Sequence, residues 1–358
     1  MKHSFLLFFL LVYANVLFSN DNVIIPIVND DTDSVEVCDF FWYGLKDSVL
    51  RNTEIPFVKP QVGILDGNDL EQKTKAWQKD YALMSLVGDT MGSDSLALVV
   101  ALDLFKNSVD LAMLTGEAKY VDVYERIIAN ALASASNINS NDKETKEVKS
   151  ILKSVDNFIY ARRGDSDLYI NMYIRNDARI KMGNTNTHIS VVCSAPWYNE
   201  SLIRIDPETE QRFALHVRIP IWTRGDTLPL YDMDCKKQWY KIAVNGEYIP
   251  LKTDNGYLVI DRIWEKGDVV HLMFPSPIMR ITQKGDNKMV ALQRGPLVFS
   301  FEKVNDNGID INKPIDAHFD KSKGYLILRS NNEEEYFEAI PYCKLKNRSK
   351  AQLFVSKK

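Results

Sequence analysis

From about Ile203 to Val304 the chain alternates hydrophobic and polar residues in short runs separated by turn signals. Phe213, Leu215, Val217 and Ile219 fall on one side of such a run. A second run, Tyr257 to Ile260, is apolar on both sides, as a strand covered on two faces would be. The dipeptides Asn245-Gly246 and Asn255-Gly256 precede or separate the runs, and Lys266-Gly267-Asp268 follows. A period of two puts one face of a strand into a core, and Asn-Gly takes up the positive φ pair of a type I′ hairpin turn. Strands repeating at about ten-residue spacing predict a β-sandwich or barrel.

The N-terminal half has a different period. Leu98, Leu102, Phe105, Val109, Ala112 and Met113 recur at three- and four-residue steps, and Gly116 supplies a left-handed stop. Glu117 opens a second helix whose stripe is Tyr120, Val123, Tyr124, Ile127, Ile128, Ala131 and Leu132. A short link between two amphipathic helices predicts an antiparallel pair. Further helices are expected near Tyr43–Asn52, stopping before Pro56, and over Leu70–Leu86. Asp21 to Val37 reads as an extended leader whose Asp30, Asp31 and Asp33 form a solvated run. Asn305 to Lys323 reads as loop, and Asn331 to Glu335 as an acidic turn.

Composition narrows the class without choosing a function. The 358 residues are 45% hydrophobic and 26% charged, with a formal charge of −4, the profile of a globular chain of two or three domains. No basic stripe interleaved with aromatics points to nucleic acid. Met1 to about Ser19 has a basic start at Lys2, an apolar stretch from Phe5 to Phe18 and a small residue at its end. That run is shorter than the ~20 residues that cross a bilayer and predicts a secretory signal peptide, with an uncleaved anchor as the alternative. Cys38, Cys193, Cys235 and Cys343 stand at no metal-motif spacing. Disulfides remain open in an exported chain, although Cys38, Cys193 and Cys343 read as buried free thiols. Asn199 and Asn347 begin glycosylation sequons.

Three segments carry family character: RFALHVRIPIWTRG (Arg212–Gly225), AVNGEYIPLKTDNGYLVIDRIWEKGDVVHLMFP (Ala243–Pro275) and VALQRGPLVFSFE (Val290–Glu302). The order and spacing of IPIW, VNGE, KGD and QRGPLVF resemble the β-rich portion of glycoside hydrolase family 127, the β-L-arabinofuranosidase type. Val35–Phe57, Leu114–Leu132, Asp167–Ile174, Ala195–Ile205 and Ala339–Val355 resemble the family's flanking elements in the same order. The resemblance implies retaining hydrolysis by a cysteine thiolate held on zinc by further Cys and Glu ligands, with a separate Glu as acid/base. Zinc lowers a thiol's pKa and fixes its geometry, so that chemistry requires clustered cysteines.

No cysteine lies between Cys38 and Cys193. The family's Glu-x-Cys motif belongs shortly before Leu114, where this chain reads GSDSLALVVALDLF (Gly92–Phe105). Its Cys-rich segment belongs between Ala135 and Ser154, where the residues are polar and charged. No catalytic or metal-ligating residue therefore transfers, no cofactor is assigned, and zinc is not expected. A barrel of six helical hairpins also needs on the order of 200 residues, more than the chain provides before Ser154.

Glycoside hydrolysis otherwise uses two carboxyl groups about a cleft. Glu117, Asp122 and Glu125, with Asp94 and Asp103 before them, are the carboxylates of the family-like helices. Asp122 and Glu125 share a face opposite much of the apolar stripe and are read as solvated. His188, His216, His271 and His318 stand singly, and His216 alternates away from the Leu215/Val217 face, so it is read as a surface strand residue. Trp197, Trp222 and Trp264 are assigned to core packing; with Tyr198, Trp239 and Tyr240 they are also the aromatics a sugar surface would draw on.

The sequence thus predicts a multidomain α + β chain. Residues 1–19 are a signal peptide, 35–153 a truncated α/α-toroid-like helical remnant of a catalytic domain, 154–304 an antiparallel β-sandwich middle domain and 305–358 a C-terminal β extension. The function expected is that of an exported, secreted or periplasmic relative of β-L-arabinofuranosidases, catalytically degenerate, with carbohydrate as partner and neither nucleic acid nor a membrane span. The alternatives are a non-catalytic carbohydrate- or partner-binding module and a hydrolase working through carboxylates alone.

Overall fold

The computed structural model describes residues 24–39, 67–88, 94–136, 142–193, 196–197, 200–234, 239–304, 308–310, 312–330, 336–345 and 350–358. The signal segment, the helix expected at Tyr43–Asn52, Cys235, Tyr198, both sequon asparagines and the turn at Asn331–Glu335 lie outside these residues.

The described residues open with two short strands, β1 (Ile25–Pro26) and β2 (Ser34–Val37). Helices α1 (Gly67–Ala82), α2 (Asp94–Thr115), α3 (Ala118–Ile127) and α4 (Lys143–Lys153) follow. The strands continue with β3 (Tyr160–Arg163), β4 (Asp167–Ile170), β5 (Asn176–Met182), β6 (Thr185–Cys193), β7 (Glu200–Pro207) and β8 (Gln211–Arg218). One turn of helix, α5 (Ile221–Arg224), separates these from β9 (Tyr231–Met233), β10 (Lys241–Val244), β11 (Glu247–Tyr248), β12 (Thr253–Asp254), β13 (Tyr257–Trp264) and β14 (Asp268–Met273). The last group is β15 (Ile278–Gln283), β16 (Asp286–Arg294), β17 (Leu297–Val304), β18 (Asp316–Asp320), β19 (Tyr325–Ser330), β20 (Phe337–Pro341) and β21 (Val355–Ser356).

Among the described residues the strands form three sheets. The first runs β1-β3-β4-β8-β13-β12 and is antiparallel except for the β4–β8 pair. The second, β11-β10-β14-β7-β6-β5-β2, is antiparallel throughout. The third runs β18-β19-β20-β17-β16-β15-β9, with β21 added on β16, so strands from both sides of residue 305 share it. The protein is thus mainly β, with a few helices.

Turn chemistry fixes the register of the hairpins. Asn245 and Gly246 have φ of 53° and 86°, and Asn255 and Gly256 have 49° and 84°, the positive pair that a type I′ turn requires. The turns therefore oppose Val244 to Glu247 and Asp254 to Tyr257. Phe213, Leu215, Val217 and Ile219 are all buried, as their alternation predicts.

The leader is not a solvated linker. Its two apolar pieces find open sheet edges, β1 against β3 and β2 against β5, and bury Ile24, Ile27, Val35 and Val37. Asp33 is buried as well. It accepts a hydrogen bond from the Lys181 amide at 2.8 Å and pairs with Arg162 at 3.1 Å, which replaces the water it loses.

The predicted helix pair is present. α2 ends where Gly116, at φ 69°, turns the chain and donates its amide to the Ala112 carbonyl. α1 stops at Ala82, short of the expected Leu86. The charged stretch before Ser154 folds as α4, with the Asp142 carboxylate accepting from the Thr145 amide at 2.6 Å and Val148, Ile151 and Leu152 buried.

α3 is the central helix. It passes through a π-helical turn (Ile128–Leu132) to Ala135, and from Ala118 to Ala135 only Lys119 is exposed. Its apolar stripe meets α2, while the opposite face, with Asp122, Glu125 and Arg126, is covered too. A helix covered all round must pair every charge it carries into the interior.

Candidate functional site

The carboxylates of α3 lie opposite its apolar stripe, where a solvated face is expected, but that face packs on the end of β8. The Asp122 and Glu125 side chains are 1% and 8% exposed. Between them sits the Arg218 guanidinium, fully buried, which donates Nη1 to Asp122 Oδ1 and Nη2 to Glu125 Oε2, the latter at 2.7 Å. Its Nε donates to the Asn171 carbonyl. Asp122 Oδ1 also accepts from the Ile221 amide at 3.2 Å, and Oδ2 accepts from Arg224 Nη2. Arg224 spans onward to Asp226 at 2.8 Å and to the Ile219 carbonyl.

Tyrosines close the cluster. Tyr173 donates its hydroxyl to the Arg218 carbonyl, and its ring lies 5.9 Å from the guanidinium carbon. Tyr257 donates to Asn171 Oδ1 at 2.7 Å. Burial drives the hydroxyls of Tyr124, Tyr173 and Tyr257 far above the ordinary phenol range, so they act as neutral donors. Burial likewise raises Glu125, against the opposing pull of Arg218. Arg218 is held protonated: burial opposes its charge, but Glu125 and Asp122 together outweigh that cost.

Sequence placement explains why these groups meet. Arg218 ends β8 opposite Tyr257 of β13, and His216 stands opposite Val259 on the same face. Pro220 then starts α5, whose first amide and whose Arg224 both return to Asp122. The buried carboxylates of Asp122 and Glu125 balance the guanidiniums of Arg218 and Arg224 in charge, and the exposed Asp226 adds a third carboxylate on the outer side of Arg224. Chemically the arrangement is closed. An acid/base pair needs room for a sugar between two accessible carboxyls, and here Arg218 fills that room.

His216 is also not a surface residue. Only 8% of its side chain is exposed; its Nε2 lies 2.7 Å from Asp167, and its ring stacks on Tyr169 with centroids 4.2 Å apart. Burial lowers its pKa despite Asp167, and the neutral ring then donates Nε2–H to the carboxylate. Ser166 donates to the other oxygen of Asp167 at 2.6 Å, so serine and histidine both bond the aspartate and not each other. That order cannot activate the serine as a nucleophile.

The remaining candidates are scattered. Asp103 pairs with Lys106 at the surface, and the half-buried Glu117 pairs with the exposed Lys119. His188 faces Asp177 at 3.5 Å, His271 faces Glu200 at 2.6 Å, and His318 lies exposed on β18. Trp197, Trp222 and Trp264 are buried, as assigned, and Trp264 donates its indole N–H to the Phe213 carbonyl at 3.0 Å. Trp239, in contrast, is 98% exposed. No helix among the described residues is long and apolar enough to cross a membrane.

The described residues do not fit the zinc centre that the family resemblance implies. Cys193 and Cys343 are buried singly, and burial pushes the Cys343 thiol up to about 12, opposite to the shift a metal-held thiolate needs. Cys38 is exposed, contrary to the buried thiol expected there, and Asp177 lies 3.8 Å from its sulfur. Among the described residues no three His, Cys, Asp or Glu side chains converge to hold a metal.

Comparison with known proteins gives a consistent family context. The profile of "Beta-L-arabinofuranosidase, GH127 middle domain" matches residues 167–276, and that of "Glycoside hydrolase family 127 C-terminal domain" matches residues 280–356. The non-reducing end β-L-arabinofuranosidase of Bifidobacterium longum subsp. longum is 27% identical over 170 residues, which are 44% of this chain and 23% of that enzyme. Among solved structures, a GH127 β-L-arabinofuranosidase from Geobacillus stearothermophilus T6 superposes with a TM-score of 0.61 at 21% identity, over 76% of this chain and 54% of that one. Another GH127 β-arabinofuranosidase gives 0.60 at 22% identity, over 74% and 49%. The chain therefore spans about half the length of these structures and a quarter or less of the curated relative.

Proposed function

Because the chain belongs to glycoside hydrolase family 127, we propose that it is an exported relative of the β-L-arabinofuranosidases that keeps the family's β-rich frame and has lost its hydrolytic chemistry. One observation carries this reading: the two carboxylates that α3 offers are both bound to Arg218 and sealed from solvent. The sequence supports it, since no cysteine stands where the resemblance calls for a zinc-bound thiolate. The helices from α1 to α4 are, on this reading, what remains of the family's helical toroid. Purified protein supplied with zinc should release no aryl alcohol from an aryl β-L-arabinofuranoside above the blank and should retain no stoichiometric zinc. Turnover that follows the protein through purification would refute the proposal. Export is tested separately by sequencing the N-terminus of protein recovered outside the cytoplasm, which should begin near residue 20.

A second reading, glycan binding without hydrolysis, is favoured by the exposed aromatics on the β10–β11 side. Trp239 is 98% and Tyr248 65% exposed, and Lys241 lies 5.2 Å from the centre of the Tyr248 ring. Such faces stack on sugar rings. Calorimetry with arabino-oligosaccharides should give heat that Trp239→Ala abolishes; silence with the wild type removes this reading.

A further inference from the structure

Five strands of the second sheet, β6, β7, β14, β10 and β11, lie side by side with β14 at their centre. Directly opposed residues of neighbouring strands point to the same face. The register therefore sets Val192, Leu202, His271, Ala243 and Tyr248 in one row across the sheet. Beside it runs a second row of Glu200, Met273 and Lys241. The opposite face of these strands carries Val191, Ile203, Val270, Leu272 and Ile242 and is buried. Of the ten large apolar side chains exposed among the described residues, three stand in the first row: Val192 at 50%, Leu202 at 43% and Tyr248 at 65%. Clustering of that kind marks an interaction surface, whereas apolar residues exposed singly are ordinary.

The pattern about β14 is complementary to itself. A two-fold axis lying in the plane of this face along β14 exchanges β7 with β10 and β6 with β11. It brings Leu202 over Ala243 of a second copy, a large side chain over a small one, and Val192 over Tyr248 of that copy. Glu200, whose side chain is 67% exposed, comes over Lys241 of that copy, and symmetry repeats the pair on the other side of the axis. Both charges are already held at the face within one copy: Glu200 lies 2.6 Å from His271, and Lys241 lies 5.2 Å from the centre of the Tyr248 ring. His271 and Met273 meet their own equivalents. An axis running across the strands would instead set Ala243 on Ala243 and leave a gap that close packing does not tolerate. The axis along β14 also aligns the strands of the two copies, one of the two ways in which sheets pack face to face.

We propose that this face is the interface with a second copy of the chain, giving a two-fold dimer held by Leu202 and Val192 and oriented by the Glu200–Lys241 pairs. Five strands about 4.8 Å apart and five residues of about 3.4 Å along each give roughly 400 Å² of projected area per copy. About 800 Å² in all stands at the weak end of protein interfaces, so the dimer is reversible, with a Kd of roughly 0.01–1 mM. The inference is independent of hydrolysis, and it competes with glycan binding for the Tyr248 ring.

Sedimentation velocity of the full chain from about 0.01 to 2 mM should show a monomer–dimer equilibrium. Leu202→Glu should weaken it about tenfold or more at an unchanged melting temperature, because the position is exposed in one copy and the new charge would be buried between two. Ile263→Glu, at a comparably exposed apolar position on β13 in another sheet, should leave the equilibrium as it is. Glu200→Lys and Lys241→Glu should each weaken it about threefold or more, and the two together should restore it, a recovery that a general loss of stability would not give. A chain that stays monomeric to about 2 mM, whether or not arabino-oligosaccharides then bind at Tyr248, overturns the proposal. So does a dimer indifferent to Leu202→Glu, one equally sensitive to Ile263→Glu, or a double charge variant no better than either single one.

Discussion

Replacing Arg218 by Met tests the buried cluster most sharply, because it leaves two carboxylates inside with less to hold them. Asp122 keeps the Ile221 amide and Arg224. Glu125 loses its partner and must either stay charged in a low-dielectric interior or take up a proton. Protonation is the cheaper escape: against an ordinary value of 4.5, holding a proton at pH 7 costs about 3 kcal/mol at 1.36 kcal/mol per pH unit. The Asn171 carbonyl also loses its Arg218 donor, so the total should be about 3–5 kcal/mol, as for other broken buried pairs. The sign with pH follows. A carboxyl that binds its proton more tightly in the folded than in the unfolded state loses stability as pH rises through the window above 4.5. Arg218→Met should therefore be destabilised by about 3–5 kcal/mol at pH 7 and by roughly 2–3 kcal/mol less near pH 5. Adding Glu125→Gln should recover most of the pH-dependent part. Equilibrium urea unfolding at both pH values measures this; a loss below about 1 kcal/mol at pH 7, or one independent of pH, refutes the assignment.

Three further outcomes are expected. Gly256→Ala should cost clearly more than Gly246→Ala in denaturant unfolding: both glycines have positive φ, but an added Cβ meets Ala118 Cβ at 2.7 Å at Gly256 and open space at Gly246. The backbone share is about 1–2 kcal/mol in each, and the Ala118→Gly background should relieve only the excess at Gly256. His216 has a folded-state pKa below its ordinary 6.5, so stability is gained as pH rises towards that value and lost as pH falls below it; His216→Asn should flatten the profile there, and an unchanged slope assigns it to other groups. Trp239→Ala should leave stability within about 0.5 kcal/mol of wild type, whatever it does to glycan binding.

Local signals in the sequence carried the β-rich frame. The Asn-Gly pairs set hairpin register through their own φ preferences, and alternation around Phe213–Ile219 gave the buried face of β8. The leader was misread because two- and four-residue strands carry almost no periodic signal, and only the open edges of β3 and β5 make them strands. Asp122, Glu125 and His216 were misplaced for one shared reason: amphipathicity predicts one covered face, whereas α3 and β8 are covered on two. A clue lay in Tyr257–Ile260, apolar on both sides, since the strand beside it is covered likewise and bears Arg218 opposite Tyr257. Which carboxylates Arg218 would find was a matter of long-range packing, 96 and 93 residues away along the chain.

The central claim is that the α3 carboxylates brace the fold and perform no acid/base work. It is tested most directly by assaying an aryl β-L-arabinofuranoside with zinc-replete wild type, Asp122→Asn and Glu125→Gln while recording the unfolding free energy of each. The account predicts no turnover in any of the three and reduced stability in both variants. Turnover by the wild type that vanishes in either variant at unchanged stability would contradict it.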